Sequence, residues 1–116
     1  MGATTMTIIR IDHDIQYSQY DESFIREYIK KIPYTILSIH KRESTGGNTH
    51  IKIDIAEDVS PLDTLMIRAV LHDDSRRIRG DLERYLLDSP VFGLLFDEKY
   101  YLSTGEIKKC GEWVKV

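Results

Sequence analysis

The sequence predicts a single α+β domain, an antiparallel sheet with helices packed on one of its faces. Two observations carry that expectation. Several short runs alternate apolar with polar residues, the two-residue period of a strand with one buried face, and between them lie stretches whose apolar residues recur at helical spacing. At 116 residues the chain is also long enough to bury one core without disulfide or metal staples.

Thr7 to Asp14 reads as the first strand, with Ile9 and Ile11 on one face and Ile8, Arg10, Asp12 and Asp14 on the other. Ser18 followed by Asp21 resembles a capping box, and Phe24, Ile25, Tyr28, Ile29 and Ile32 then fall at helical spacing until Pro33 stops the helix. Tyr34 to Arg42 and Thr49 to Ala56 read as the second and third strands. Ser60-Pro61 is an N-cap followed by proline at the first helical position, with Leu62, Leu65, Met66, Ala69 and Val70 as the expected buried stripe. The pattern breaks at His72 to Ser75, and a further helix restarts with Ile78, Leu82, Tyr85 and Leu86 expected inward until Ser89-Pro90. Phe92 to Phe96 reads as a fourth strand, and the tail from Tyr100 to Val116 holds one or two short strands around Ser103-Thr104-Gly105. Residues 1–6 carry no structural pattern and are expected to be a disordered or non-native leader, so that residues 1–116 form one domain.

This order is the split βαβ pattern of ferredoxin-like (RRM-like) folds, with a C-terminal strand extension. It implies a sheet whose first and third strands are central and whose second face is open. Leu37, Ile39, Ile51, Ile53 and Ile55 are expected inward. With Ser44-Thr45-Gly46 as a three-residue loop and Gly46 in the left-handed position, Ile39 pairs with Ile51 and His40 with His50. The outward face would then gather Arg10, Asp12, Asp14, His40, His50, Lys52 and Asp54. Carboxylates beside imidazoles can hold a divalent metal such as Mg²⁺ or Mn²⁺, for which Asp12, Asp14, Asp54 and His50 are the candidate ligands. The ordinary alternative is that these outward positions are polar because water covers them. Ile8 and Ile36 share the face, which suggests partial cover by a partner or by the C-terminal segment.

Composition narrows the partners. A net charge of −3 removes any global field drawing the chain to nucleic acid, so such binding would need a local patch. Arg76, Arg77, Arg79 and Arg84, with Arg68 nearby, form the densest positive group and are the candidate phosphate contacts. Asp73, Asp74, Asp81, Glu83 and Asp88 are interleaved with them, which favours a salt-bridged, solvated helix face. A lone cysteine, Cys110, fits a reducing interior, and no apolar run reaches membrane-span length, so a cytoplasmic location is expected. Asn and Gln total three against many charged residues, a hyperthermophile-like bias. The outward positions of the first and third strands carry no aromatic residue, against stacking-based reading of single strands. His13 and His72 read as structural, and Tyr100, Tyr101 and Trp113 as cover for the sheet or as a dimer contact.

Ser44 to Ile51 (STGGNTHI) and Leu71 to Arg79 (LHDDSRRIR) resemble small uncharacterised proteins of archaeal viruses and hyperthermophilic archaea. That resemblance implies a context, with host cytoplasm as the location if the chain is viral. More distantly, the motif order is similar to the RRM-like core of archaeo-eukaryotic primases. There an acidic pair lies on the first strand, a Ser/Gly turn leads into a strand histidine, and a later acid follows. Asp12 and Asp14, His50 and Asp54 match those places, and the resemblance implies metal-holding acids and a phosphate-contacting His50. Three classes of function follow: a small module that binds nucleic acid or nucleotide, a homodimeric interaction protein, and a metal-dependent phosphoryl-transfer enzyme or a decayed relative of one.

Overall fold

The computed structural model describes residues 4–90 and 92–116. Residues 1–3 of the expected leader, and the side chains of Tyr100 and Tyr101, lie outside the described residues. The elements are β1 (Thr7–Gln16), a 3-10 turn (Tyr17–Gln19), α1 (Glu22–Ile29), β2 (Ile36–Glu43), β3 (Asn48–Ile55), α2 (Pro61–Val70), α3 (Ser75–Leu86), β4 (Glu98–Tyr101), β5 (Glu106–Lys109) and β6 (Val114–Lys115). The fold is mixed α+β, with a four-stranded antiparallel sheet in the order β1-β3-β2-β6 and a separate β4-β5 hairpin.

Odd-numbered residues of β1 and β3 face one layer. Ile9, Ile11, Ile51, Ile53 and Ile55 are buried there with Ile25 of α1, Ile67 of α2 and Leu71 just past its C-terminal end. Asp21, and not Ser18, caps α1 by accepting from the Ser23 N–H, while Ser18 belongs to the 3-10 turn. Ser60 caps α2 as expected, with Pro61 at the first position. A bulge between Ile36 and Ser38 places Ile36, expected outward, against the core opposite Ile55.

The stripe expected for α1 packs on the core through Ile25, Tyr28, Ile29 and Ile32, but those expected for α2 and α3 differ from the observed ones. In α2 the buried residues are Thr64, Leu65, Ile67 and Arg68, while Leu62, Met66 and Val70 are exposed. In α3 the buried residue is Asp81, Ile78 is half-buried, and Leu82, Tyr85 and Leu86 are exposed. One interaction explains both. Arg68, 1% exposed, donates from Nε to Asp73 at 2.6 Å and from Nη1 to Asp81 at 2.7 Å. Burying that guanidinium between two carboxylates turns α2 and α3 toward each other on their polar sides. The chain of charge continues outward, through Arg77 on Asp73 and Arg84 on Asp81.

The same network closes the sheet edge. Phe92 to Phe96 does not form a strand, and among the described residues β1 is an edge strand, not a central one. An edge strand leaves every second N–H and C=O unpaired. Here the Asp12 N–H donates to the Asp73 carboxylate at 2.8 Å, the Asp12 carbonyl accepts from the Asp74 N–H at 3.0 Å, and the Arg10 carbonyl accepts from Arg77 at 3.2 Å. The turn into α3 thus does on β1 what a further strand would do, and the fourth strand, β6, lies on the far side of β2.

The hairpin between β2 and β3 keeps the expected faces and shifts the register by two residues. Ser44 and Asn48 close the loop, whose residues are Thr45, Gly46 and Gly47, and Gly47 takes the positive φ of 88°. Arg42 therefore stands opposite His50, and His40 opposite Lys52. Either of two adjacent glycines satisfies such a loop. The Ser44 hydroxyl, accepting from the Asn48 N–H, favours the observed choice.

Two outcomes are expected in urea denaturation. Arg68→Met takes from the buried Asp73 and Asp81 the one cation they share, leaving only Arg77 and Arg84 on their outer sides, and should cost about 3 kcal/mol; a loss under about 1 kcal/mol would show that the triad does not hold the helices. Gly47→Ala should cost about 1–2 kcal/mol, whereas Gly46→Ala, whose added Cβ meets nothing within 4 Å, should stay within about 0.5 kcal/mol.

Candidate functional site

The second face of the sheet is laid out in rows across β1, β3 and β2. One row is Asp12, His50 and Arg42; the next is Arg10, Lys52 and His40; the third is Ile8, Asp54 and Ser38. His40 and His50, expected side by side, are in different rows because of the register shift. Asp54 is turned to Ser38, whose hydroxyl donates to it at 2.5 Å. Asp14 lies at the register irregularity that ends β1 and accepts from the Asn48 side chain at 3.1 Å. Of the four candidate metal ligands, Asp12 and His50 are thus adjacent, while Asp14 and Asp54 are held elsewhere. Among the described residues no group of three or more His, Cys, Asp or Glu side chains is placed to hold a metal ion.

The face is partly covered by the chain's own C-terminal part. Arg42, 3% exposed, donates to Asp97 at 2.6 Å and to the Phe96 carbonyl at 3.3 Å. The Trp113 ring lies 4.3 Å from the Arg42 guanidinium and 4.9 Å from the Lys52 ammonium, stacking contacts of the cation–π kind. Trp113 therefore covers the sheet, as one of its two expected roles required.

Between the Asp12-His50 row and the strap of residues 94–96 lies a cleft of about 360 Å³, whose walls include Asp12, Thr45, His50, Leu94, Phe96 and Lys99. Its polar floor is electrostatically ordered. Arg42 Nε donates to His50 Nδ1 at 3.0 Å, so Nδ1 is the acceptor and the ring proton is on Nε2. Burial, with Arg42 and Arg77 close by, pushes the His50 pKa down to about 4 and keeps the ring neutral. His50 Nε2 is 3.8 Å from the Asp12 carboxylate, beyond hydrogen-bonding range. Burial raises Asp12 to about 6, helped by Asp74, Asp73 and Asp14 and opposed by Arg77. The result is a donor and an acceptor side by side, not satisfied by each other, under an apolar wall.

The Arg-rich segment divides. Arg77 is spent on Asp73 and the Arg10 and Leu94 carbonyls, and Arg84 bonds Asp81. Arg76 and Arg79 are exposed, and Arg79 is 4.0 Å from Glu83. The expectation of ion pairing holds, but Asp73 and Asp81 are buried acids and not a solvated face. Sequence reasoning missed Arg42 and the 94–96 strap. Arg42 shares the outward parity of His40, and only the register conceals that it faces His50.

Among the described residues, no helix is long and apolar enough to cross a membrane. Compared with protein families, curated proteins and solved structures, the chain matches none of them. The resemblances to archaeal viral proteins and to primases therefore rest on the sequence motifs alone.

The two floor residues titrate in opposite senses. His50, lowered from 6.5 to about 4, makes stability rise with pH across that window, because the unfolded chain binds a proton that the folded one does not. Asp12, raised from 3.8 to about 6, makes stability fall with pH over nearly the same range. Asp12→Asn removes the second effect. Its stability is expected to climb by roughly 2–3 kcal/mol between pH 4 and 6.5 while the parent stays flatter. Equal slopes for the two proteins would contradict the assignment.

Proposed function

We propose that this chain is a small ligand-binding domain whose cleft takes the edge of a flat heteroaromatic ring, a nucleobase of a nucleotide or of single-stranded nucleic acid being the chemistry that fits. The observation that carries this reading is the donor and the acceptor side by side on the floor, 3.8 Å apart and not bonded to each other. The Asp12 carboxylate accepts from an exocyclic amino group while His50 Nε2–H donates to the neighbouring ring nitrogen, the complementary pattern that base edges present. Leu94 and Phe96 supply an apolar wall for the ring face, and Phe96 is 77% exposed. Lys99 at the cleft is the group nearest in kind to a phosphate contact. Read this way, the sheet is a ferredoxin-like variant that uses an edge cleft where RNA-binding relatives of that architecture use stacked aromatics.

The reading is one of binding. The primase-like alternative needs Asp14 or Asp54 beside Asp12 and His50, and those two acids are engaged with Asn48 and Ser38. The test is an amide NMR titration with adenosine, cytidine, guanosine and uridine monophosphates, with ribose 5-phosphate as control. Shifts confined to residues around Asp12, His50 and Leu94 to Phe96, absent with the control, support the reading. Equal shifts with ribose 5-phosphate, or none at all, would sink it. Binding is further expected to weaken as pH falls through about 6, where Asp12 loses its charge, and to be lost in Asp12→Ala.

A further inference from the structure

Helix α3 is attached to the domain by charge and presents its apolar side to solvent. On its inner flank Arg77 is committed to Asp73 and the Leu94 carbonyl, Asp81 to Arg68 and the Gly93 N–H, and Arg84 to Asp81. Beside that flank runs a stripe of Ile78, Leu82, Tyr85 and Leu86, of which Leu82 is 42%, Tyr85 40% and Leu86 75% exposed. Three neighbouring large apolar side chains this open on one helix form the kind of stripe that helix pairs bury between them.

The occupant is indicated by the outer flank. It carries Arg79 toward the N-terminal half and Glu83 toward the C-terminal half, both exposed (85% and 69% of the side chain). When two identical helices pack antiparallel about a two-fold axis, equal flanks face each other with their directions reversed. With the axis near Leu82, Leu82 meets Leu82 of the second copy and Ile78 meets Leu86 of the second copy. Arg79 then lies beside Glu83 of the second copy, and the pair occurs twice. A parallel arrangement would set this outer flank against the inner flank of the second copy, which is already committed to its own domain, and the helix dipoles would also be aligned unfavourably. We infer that α3 is the contact through which two copies of this chain pair, antiparallel and centred near Leu82. This does not depend on the ligand reading, since the cleft and the stripe share no residue.

The experiment is sedimentation velocity over a concentration series, run on the full chain and on variants whose fold is checked by circular dichroism. The parent is expected to show a monomer–dimer equilibrium. Leu86→Asp, at an exposed position that the monomer does not need, should raise the dimer dissociation constant by roughly tenfold or more. Arg79→Glu and Glu83→Arg should each weaken the dimer several-fold, and the double reversal should restore it, because the pairs are then re-formed with exchanged signs. A parent that is monomeric throughout would overturn the proposal, and so would a dimer indifferent to Leu86→Asp. Failure of the double reversal to restore would overturn the antiparallel arrangement.

Discussion

The structure depends on Arg68. A guanidinium with 1% exposure can persist only if carboxylates meet it, and both that do so, Asp73 and Asp81, come from the segment that follows α2. Meeting them sets the rotation of α2 and the approach of α3. It also brings the turn between the helices onto β1, where Asp73 accepts from the Asp12 N–H as well. A single buried side chain thereby links helix packing, edge protection and the position of Asp12. Ion pairs of this kind are poor sources of net stability, and their effect here lies in specifying one arrangement over others.

From that anchor the cleft follows. Arg77, held against Asp73, also grips the Leu94 carbonyl and so draws the strap across the sheet in front of His50. Arg42 holds the other end of the strap through Phe96 and Asp97 while fixing the His50 tautomer. The donor–acceptor floor is therefore ordered by two arginines whose hydrogen bonds go to the protein's own groups. Their role is to place Asp12 and His50 and to keep the imidazole neutral.

How far this was legible follows from what each signal measures. Strand parity was read correctly in β1 and β3, because every inward Ile there meets the apolar layer. Caps at Ser60 were legible because the chemistry is local. The stripe of α1 was legible too, with Ile25, Tyr28, Ile29 and Ile32 all on the core, but those of α2 and α3 were not. Thr64, Ile67, Arg68 and Leu71 also lie at helical spacing, but a reading that ranks faces by apolarity passes over one built around arginine. The hairpin register was undetermined because Gly46 and Gly47 are chemically equal candidates for one left-handed position. The segment 92–96 reads as a strand by composition, and the Asp73-Asp74 turn occupies the β1 edge that such a strand would use.

Trp113 carries one more consequence. It is the single tryptophan of the chain, and it rests on two cations that belong to different strands. Indole emission is sensitive to neighbouring charge and to water, so the protein holds its own optical gauge of whether the C-terminal segment is docked. Any event that lifts the tail from the sheet will be visible as a change of colour and intensity, with no label attached.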